Sequence, residues 1–287
     1  MEHHGALISS IEAPVKAVPG REVITLLVTV KAYPAIARKS GESVCVAGVR
    51  LDTPEPEWIR IFPVGFRDLP REKQFAKYQV VQMAAHRGST DRRSESFKPN
   101  LDTVQLGATL DTTRASSARW GVLAPLAGAT TTCRLVAAAR TLGLDAPSLG
   151  LIKPAQVLDL IVEENPEYRR GGDPVVDVDL FGNERELLEA TPFQVHYRYD
   201  CAEPGCRGHQ QSIIDWESGA LARRNLATHT VQEAKRLHRA KFLDEMCSPR
   251  FDTHFYVGNQ HQYPQSFMVL GVFWPPAHSR PHPTLDL

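Results

Sequence analysis

The sequence lacks the short motifs of the common nucleotide-dependent and hydrolytic enzymes. It has no GxxxxGKS/T loop and no GxGxxG after a strand, which disfavours nucleoside-triphosphate and dinucleotide folds. HExxH and GxSxG are also absent. These absences leave enzymatic activity uncertain and turn attention to binding chemistry.

The sequence also has few cysteines, a net charge of zero and no long apolar run. The five cysteines are too few and too unevenly placed for a disulfide framework, so we expect a reducing, cytoplasmic location. Lys+Arg and Asp+Glu both number 33, which argues against a globally basic nucleic-acid-coating protein but allows a local basic patch. The apolar run at 23–30 is too short to span a bilayer, and the first residues do not resemble a signal peptide. We therefore expect no membrane partner.

What the sequence does contain is turns and short strands. The 21 prolines and 19 glycines favour short strands over a helical bundle. Runs with strand composition are EVITLLVTVKAYP, SVCVAGVRL, WIRIFPV and YQVVQMAAHR, followed by a charged loop and the weakly patterned residues 101–115. An alanine-rich helix over 127–143, ended by Gly143, would complete a small barrel of the oligonucleotide/oligosaccharide-binding (OB) or SH3-like type.

The second half also has β character. TPFQVHYRYDC, FDTHFYVGN and QSFMVLGVFWPP are typical of strands, and a capping box from Thr230 to Glu233 predicts a helix. The segment 157–164 fits a strand or a short helix. We predict a mainly β (α+β) protein with four parts: a flexible lead-in (1–22), a first OB-like module (23–146), a second OB-like module (147–276) and a disordered tail (277–287).

A metal site is predicted in the second module. Cys201, Cys206 and His209 lie within nine residues, and thiolate and imidazole are ligands that zinc prefers. A fourth ligand has to come from elsewhere, with Cys247, His254, His196 or water as candidates. The alternative is that the two cysteines are small buried apolar residues. Cys45 and Cys133 lie in apolar runs typical of inert buried thiols.

Two carboxylates follow the metal motif. If this segment is a strand, Asp215 and Glu217 lie on one face and could serve a metal-dependent nuclease or hydrolase. The alternative is that Trp216 packs inward while both acids are solvated or cap a turn.

A basic and aromatic stretch runs from Trp58 to Lys98, with nine Lys/Arg against four acids. Single-stranded nucleic-acid binders combine such cations with aromatic side chains on which bases stack. The alternative is that the aromatics form the barrel core and the charges form a solvated rim. The candidate ligand-binding residues are Arg60, Arg67, Lys77, Arg92, Arg93 and Lys98.

Several segments resemble those of bacterial proteins described as having a dual OB domain. They are KAYPAIARKSGESVCVAGV, EWIRIFPVGFRDL, QFAKYQVVQM and DRRSESFKP, with YDCAEPGCRGHQQSIIDWE and FYVGNQHQYPQSFMVLGVFWPP in the second half. The resemblance covers about residues 24–275. It implies two OB-like barrels and a nucleic-acid or nucleotide-related role in bacterial defence or stress response. It implies no catalytic residue.

Three functional classes remain. The first is a binding protein for nucleic acid or a nucleotide-like ligand, with a zinc ion that stabilises the second module. The second is a metal-dependent nuclease or hydrolase that uses Asp215 and Glu217. The third is a scaffold subunit whose apolar strands dock a protein partner. We rank the binding protein first.

Overall fold

The structure is a computed structural model that describes residues 2–33, 35–37, 41–89, 91–168, 176–178, 184–186 and 189–279. Of the tail predicted to be disordered, residues 280–287 lie outside the described residues. Strands predominate over helices, as a mainly β protein requires.

Five strands of the first half close into a barrel. The order around the barrel is β1–β5–β6–β4–β3, and β3 pairs again with β1. β4 and β6 are parallel, and the other pairs are antiparallel. This is the topology of an OB barrel. The strands are β1 (Glu22–Lys31), β3 (Gly41–Arg50), β4 (Glu57–Val64), β5 (Gln79–Arg87) and β6 (Ser96–Thr109), with the short β2 (Ala35–Ala37) beside β3.

β6 is a strand where the sequence predicts a charged loop followed by a weakly patterned segment. Only a few β6 side chains are buried, so the alternation that marks a half-buried strand is absent. Pairing with β5 over most of its length is what makes the segment a strand. β5 is the preceding strand, and the pairing depends on its backbone rather than on an apolar pattern within β6 itself.

The second half forms a barrel of the same order. Its strands lie in two three-stranded sheets, β8–β11–β12 and β7–β13–β14. Only Lys153 separates β7 from β8, and a parallel bridge between Ile213 and Val269 joins the other edges of the two sheets. The prediction of a mainly β protein is therefore confirmed, with a closed barrel in the first half and two sheets in the same strand order in the second. The strands are β7 (Leu149–Ile152), β8 (Pro154–Glu164), β11 (Phe193–Cys201), β12 (His209–Ser212), β13 (His254–Gln260) and β14 (Tyr263–Phe273), with a separate hairpin of β9 (Val176–Val178) and β10 (Glu184–Glu186).

Helices begin and end at recognisable signals. Thr131 caps one helix and Gly143, with φ of 59°, ends it, close to the predicted alanine-rich helix. Thr230 Oγ1 accepts a hydrogen bond from the Glu233 N–H at 3.3 Å, as the capping box predicts. The helices are α1 (Glu2–Ile8), α2 (Thr113–Leu123), α3 (Thr132–Leu142), α4 (Trp216–Thr228) and α5 (Val231–Arg239), which continues as a π-helical turn (Ala240–Glu245). Within the described ranges, no helix is both long and apolar enough to cross a membrane.

One hydrophobic cluster belongs to both barrels. Leu27 and Val49 of the first barrel pack in the same cluster as Leu151 and Tyr256 of the second. Trp120 of α2, fully buried, lies between them and contacts Phe273 with ring centroids 5.1 Å apart. Within the segment predicted as a lead-in, Leu7 and Ile11 are buried in this cluster too. The two barrels therefore share a core.

Candidate metal centre and inter-barrel cavity

Three cysteines and one histidine meet at one end of the second barrel. The ligand atoms of Cys133, Cys201, Cys206 and His209 all lie within 4.8 Å of one another. Cys133 comes from the first turn of α3, Cys201 ends β11 and His209 begins β12. The β11–β12 hairpin and the helix before the barrel are thus brought together at this cluster.

The turn between β11 and β12 depends on glycine. Gly205 and Gly208 have φ of 78° and 84°, in the left-handed region that other residues seldom adopt. A hydrogen bond from the Cys206 N–H to the Glu203 carbonyl closes the turn. Glu203 also pairs with Arg134 of α3 at 2.5 Å, beside the cluster. The chain is therefore bent so that Cys206 and His209 face the sulfur of Cys201.

The geometry of the cluster fits a tetrahedral zinc ion. His209 Nε2 lies 3.5, 3.4 and 3.3 Å from the sulfurs of Cys133, Cys201 and Cys206. Zinc–sulfur and zinc–nitrogen bonds of about 2.3 and 2.0 Å give nitrogen–sulfur separations of about 3.5 Å across a tetrahedron. A single ring nitrogen makes one directional hydrogen bond, so hydrogen bonding alone does not explain three sulfurs at equal distance. Four protein ligands form a closed set, which is typical of structural sites.

The thiols of the cluster differ in their ionisation. Burial opposes ionisation of Cys201, but hydrogen bonds from backbone N–H groups and from His209 outweigh it and lower its pKa to about 6. Burial, together with Cys201 and Cys206, raises the pKa of Cys133 to about 12.

The floor of the site is Tyr199, whose buried hydroxyl lies 2.7 Å from Thr132 Oγ1 and donates to Gln211 Oε1 at 2.6 Å.

The fourth member of the cluster is Cys133, which the sequence analysis interpreted as an inert thiol. The three protein candidates for a fourth ligand lie elsewhere. Cys247 Sγ contacts the Phe242 carbonyl, and His254 Nδ1 contacts the Asp252 carbonyl. His196 is partly buried on β11 and does not belong to the cluster. Cys133 is distant in sequence and has no ligand-like spacing. The only local signal is its place in the first turn of the helix that Thr131 caps.

The two candidate catalytic carboxylates contact a lysine of the other barrel. Lys77 Nζ lies 3.4 Å from Asp215 Oδ2 and 3.2 Å from Glu217 Oε2. Burial opposes the Lys77 charge, but both carboxylates outweigh it, so the pKa of Lys77 is raised. Burial raises the pKa of Asp215 to about 6, against the opposing effect of Lys77.

The condition for a shared strand face is not met, because the segment is a helix start, as in the alternative that the acids cap a turn. Asp215 Oδ1 accepts a hydrogen bond from the Glu217 N–H and caps α4, which begins at Trp216. Neither acid belongs to the Cys/His cluster. Among the described residues, nothing therefore supports the hydrolase hypothesis.

Three of the six candidate ligand-binding cations lie between the barrels. Besides Lys77, Arg60 is buried and donates to the carbonyl and the hydroxyl of Ser148, at 3.2 and 3.1 Å. Arg93 is buried as well; it pairs with Asp91 at 2.6 Å and donates to the Asn259 carbonyl at 2.7 Å. Arg67, Arg92 and Lys98 are exposed on the first barrel. The structure thus divides the six into an inter-barrel set and a surface set.

A cavity of about 860 Å³ opens between the barrels. Its walls come from the two residues before β5, from α2, and from α4, α5 and the end of β14. Its described lining contains one carboxylate, Glu217, and four cations. These cations are Lys77, Arg119, Arg224 and Lys241. Aromatic rings make up much of the remaining wall, including Tyr78, Phe251 and Trp274.

Unsatisfied and strained groups face this cavity. The amide nitrogen of Asn225 is buried without a hydrogen-bond partner. Tyr78 and Ser116, with φ of 61° and 65°, are the non-glycine residues in the left-handed region among those described, and both line the cavity. Such strain is concentrated at ligand-binding sites. Sequence reasoning did not identify the cavity, because it is formed by segments from both halves of the chain.

Comparisons with known proteins give families and distant structures. No curated protein matches the sequence. The structure of the Ifi202 HINa domain in complex with 20-bp double-stranded DNA is similar with a TM-score of 0.32 and 8% identity, over 91% of this chain and 100% of that chain. A murine DNA-binding protein bound with double-stranded DNA is similar with a TM-score of 0.30 and 8% identity, over 92% of this chain and 100% of that chain. At these TM-scores neither likeness carries an argument about fold or function.

Two family models divide the chain. The one described as Domain of unknown function (DUF8758) matches residues 22–125. The one described as Domain of unknown function (DUF8757) matches residues 128–286, which is more than half of the chain. The chain therefore belongs to the family described as Domain of unknown function (DUF8757).

Proposed function

We propose that this protein is a binding protein for a phosphate-bearing base, either a nucleotide-like ligand or a segment of nucleic acid. The observation that carries the proposal is the cavity between the two barrels, with its four cations, its single carboxylate and its aromatic wall. Cations bind phosphate, and aromatic rings contact the faces of bases. A role in bacterial defence, including antiviral defence, or in stress response rests on the family resemblance alone.

The six candidate cations take two roles in this proposal. Arg60, Lys77 and Arg93 hold the barrels in the orientation that forms the cavity. Arg67, Arg92 and Lys98 are exposed and would contact the backbone of a polymer.

Fluorescence anisotropy tests the proposal. Labelled single-stranded DNA, single-stranded RNA, duplex DNA and a labelled nucleoside triphosphate are titrated at low salt and again at about 0.2 M salt. We expect binding of at least one of them that weakens as salt rises. Loss of polymer binding in the Arg67→Ala/Arg92→Ala/Lys98→Ala variant would place the polymer on the first barrel. Absence of binding by every probe at low salt would overturn the proposal.

The cofactor in this proposal is a structural zinc ion held by Cys133, Cys201, Cys206 and His209. The nitrogen–sulfur distances and the closed ligand set support it. When bound, zinc would join α3 to the β11–β12 hairpin. Elemental analysis of the purified protein should give close to one zinc per chain. Protein that folds normally without zinc, even when produced in zinc-supplemented medium, would contradict the assignment.

A further inference from the structure

We infer that the inter-barrel cavity binds one nucleoside phosphate as a separate small molecule, with its phosphate at Arg224 and its base at the amide of Asn225. This inference rests on the proposed function and specifies its ligand.

The size of the cavity favours a small molecule. Its volume of about 860 Å³ lies within the range of small-molecule sites, about 300–1,000 Å³. Polymers instead use open grooves that follow several nucleotides, about 4–16 for each OB barrel.

The four cations of the cavity differ in whether their side chains already have a hydrogen-bond or ion-pair partner. Lys77 is engaged by two carboxylates, and Lys241 Nζ lies 2.8 Å from Glu245 Oε1. Arg119 donates its Nε–H to the Leu110 carbonyl, and its guanidinium lies 3.8 Å from the centre of the Tyr78 ring. Among the described residues, the guanidinium of Arg224 has no hydrogen-bond or ion-pair partner. A free guanidinium at the mouth of a cavity is suited to a bidentate contact with phosphate.

The side-chain amide of Asn225, the next residue, requires a hydrogen-bond acceptor rather than a charge partner. Asn225 follows Arg224 on α4, and its buried Nδ2 lacks an acceptor in the described structure. This Nδ2 is closed off from solvent, so the Asn225 side chain would rotate toward the cavity to meet a ligand's acceptor, and that pairing would remove the cost of an unpartnered buried donor. Base edges supply such acceptors, and asparagine pairs with adenine in this way.

The rest of the wall suits the flat, apolar body of a base. Leu221, Leu237 and Met246 line the cavity together with Phe251 and Trp274, whose ring centroids are 4.8 Å apart. One ligand that combines phosphate, an acceptor-bearing edge and an apolar face satisfies all three parts of the site. Inorganic phosphate satisfies only the first.

Isothermal titration calorimetry of the full-length protein tests the inference. The probes are AMP, GMP, CMP and UMP, with their four nucleosides, inorganic phosphate and an oligonucleotide such as dT12 as comparisons. We expect one monophosphate to bind at one per chain and at least tenfold more tightly than inorganic phosphate. Arg224→Ala should weaken that nucleotide about tenfold, but not its nucleoside, which lacks phosphate. Asn225→Ala should weaken both about tenfold.

One control variant and three contrary results separate this inference from the proposed function. Arg236→Ala removes an arginine of α5 that pairs with Glu233 outside the cavity, and it should leave affinity unchanged. The melting temperature of each unliganded variant shows whether it folds. Binding of dT12 without any monophosphate would overturn this inference and leave the proposed function standing. Equal affinity for inorganic phosphate and nucleotides would overturn the assignment of the base. Failure of every probe, dT12 included, would overturn both.

Discussion

Lys77 is a buried cation held by two carboxylates of the opposite barrel. Its position depends on Gly271, where a Cβ atom would lie 3.2 Å from Lys77 Nζ and 3.3 Å from Asp215 Oδ2. A buried ion pair contributes little net stability relative to apolar residues, but removing one partner leaves a charge without compensation. At the residue scale, loss of Lys77 would therefore leave the buried Asp215 carboxylate without its cation.

We expect Lys77→Met to lower the free energy of unfolding by about 3–5 kcal/mol, because Asp215 would stay buried without its cation. Urea denaturation measures the change. Lys98→Met, at an exposed lysine of the same barrel, should change it by less than about 0.5 kcal/mol. Equal losses in the two variants would show that the buried pair has no special role.

His238 gives a pH dependence that can be worked out. It is fully buried, its ring stacks on Phe242 and its Nε2 lies 3.1 Å from Ser218 Oγ. Burial lowers its pKa from 6.5 to about 4. Between these two values the unfolded chain binds a proton that the folded protein does not bind, so stability falls as pH drops from about 6.5 to 4.

We expect His238→Gln to remove this contribution to the pH dependence, up to about 3 kcal/mol between pH 7 and pH 4. His229→Gln, at an exposed histidine, should leave the pH dependence as it is. Unfolding free energies at several pH values measure both. An unchanged slope in His238→Gln would mean that other groups control acid sensitivity.

At the scale of elements, α3 and the β11–β12 hairpin are joined by the Cys/His cluster. The hairpin contributes three of its members and the helix contributes Cys133. The tight turn at Gly205 and Gly208 has no apolar core of its own, so the metal would hold the element in place.

We expect Cys133→Ser to lower stability by about 3 kcal/mol or more, roughly 6–12 °C in melting temperature, and to release zinc. Treatment of the unmodified protein with a chelator should produce a similar loss. Cys247→Ser is the matched control, because this thiol contacts the Phe242 carbonyl and lies outside the cluster. A stable, zinc-containing Cys133→Ser protein would exclude Cys133 as a ligand.

Much of the fold at this scale was predictable, and part of the site was not. β1, β3, β4 and β5 carry their own β-branched and apolar patterns, so local composition indicates them. Cys133 depends on partners far along the chain, and β6 depends on pairing with β5 rather than on a pattern of its own. The burial of Arg60 and Arg93 also depends on the opposite barrel, which no local pattern specifies. Spacing alone was sufficient for the Cys201, Cys206 and His209 motif.

At the scale of the whole molecule, two barrels of one topology share a hydrophobic cluster and a set of buried cations. The cavity exists only while these contacts hold the barrels together. Ligand binding and barrel association should therefore stabilise one another, since a ligand that contacts both walls binds only the associated form.

We expect the Arg60→Ala/Arg93→Ala variant to unfold in two resolved steps, where the unmodified protein unfolds in one. Both side chains bond to residues of the second barrel, Ser148 and Asn259. Differential scanning calorimetry detects the change as a calorimetric enthalpy that exceeds the van't Hoff enthalpy. The exposed pair in Arg67→Ala/Arg92→Ala should keep a single transition, and two steps in that variant would contradict the assignment.

The chain beyond β1 makes one more connection. Ala32 forms a bridge with Asp215, and the Tyr33 N–H donates to the Ile214 carbonyl at 2.6 Å. The backbone that follows β1 therefore pairs with the backbone of the second half of the chain. Fragments divided near residue 126, between the two family matches, would each carry one side of this backbone contact. We expect them to reassociate on mixing, which co-elution in gel filtration would detect, so the protein is suited to use as a split reporter.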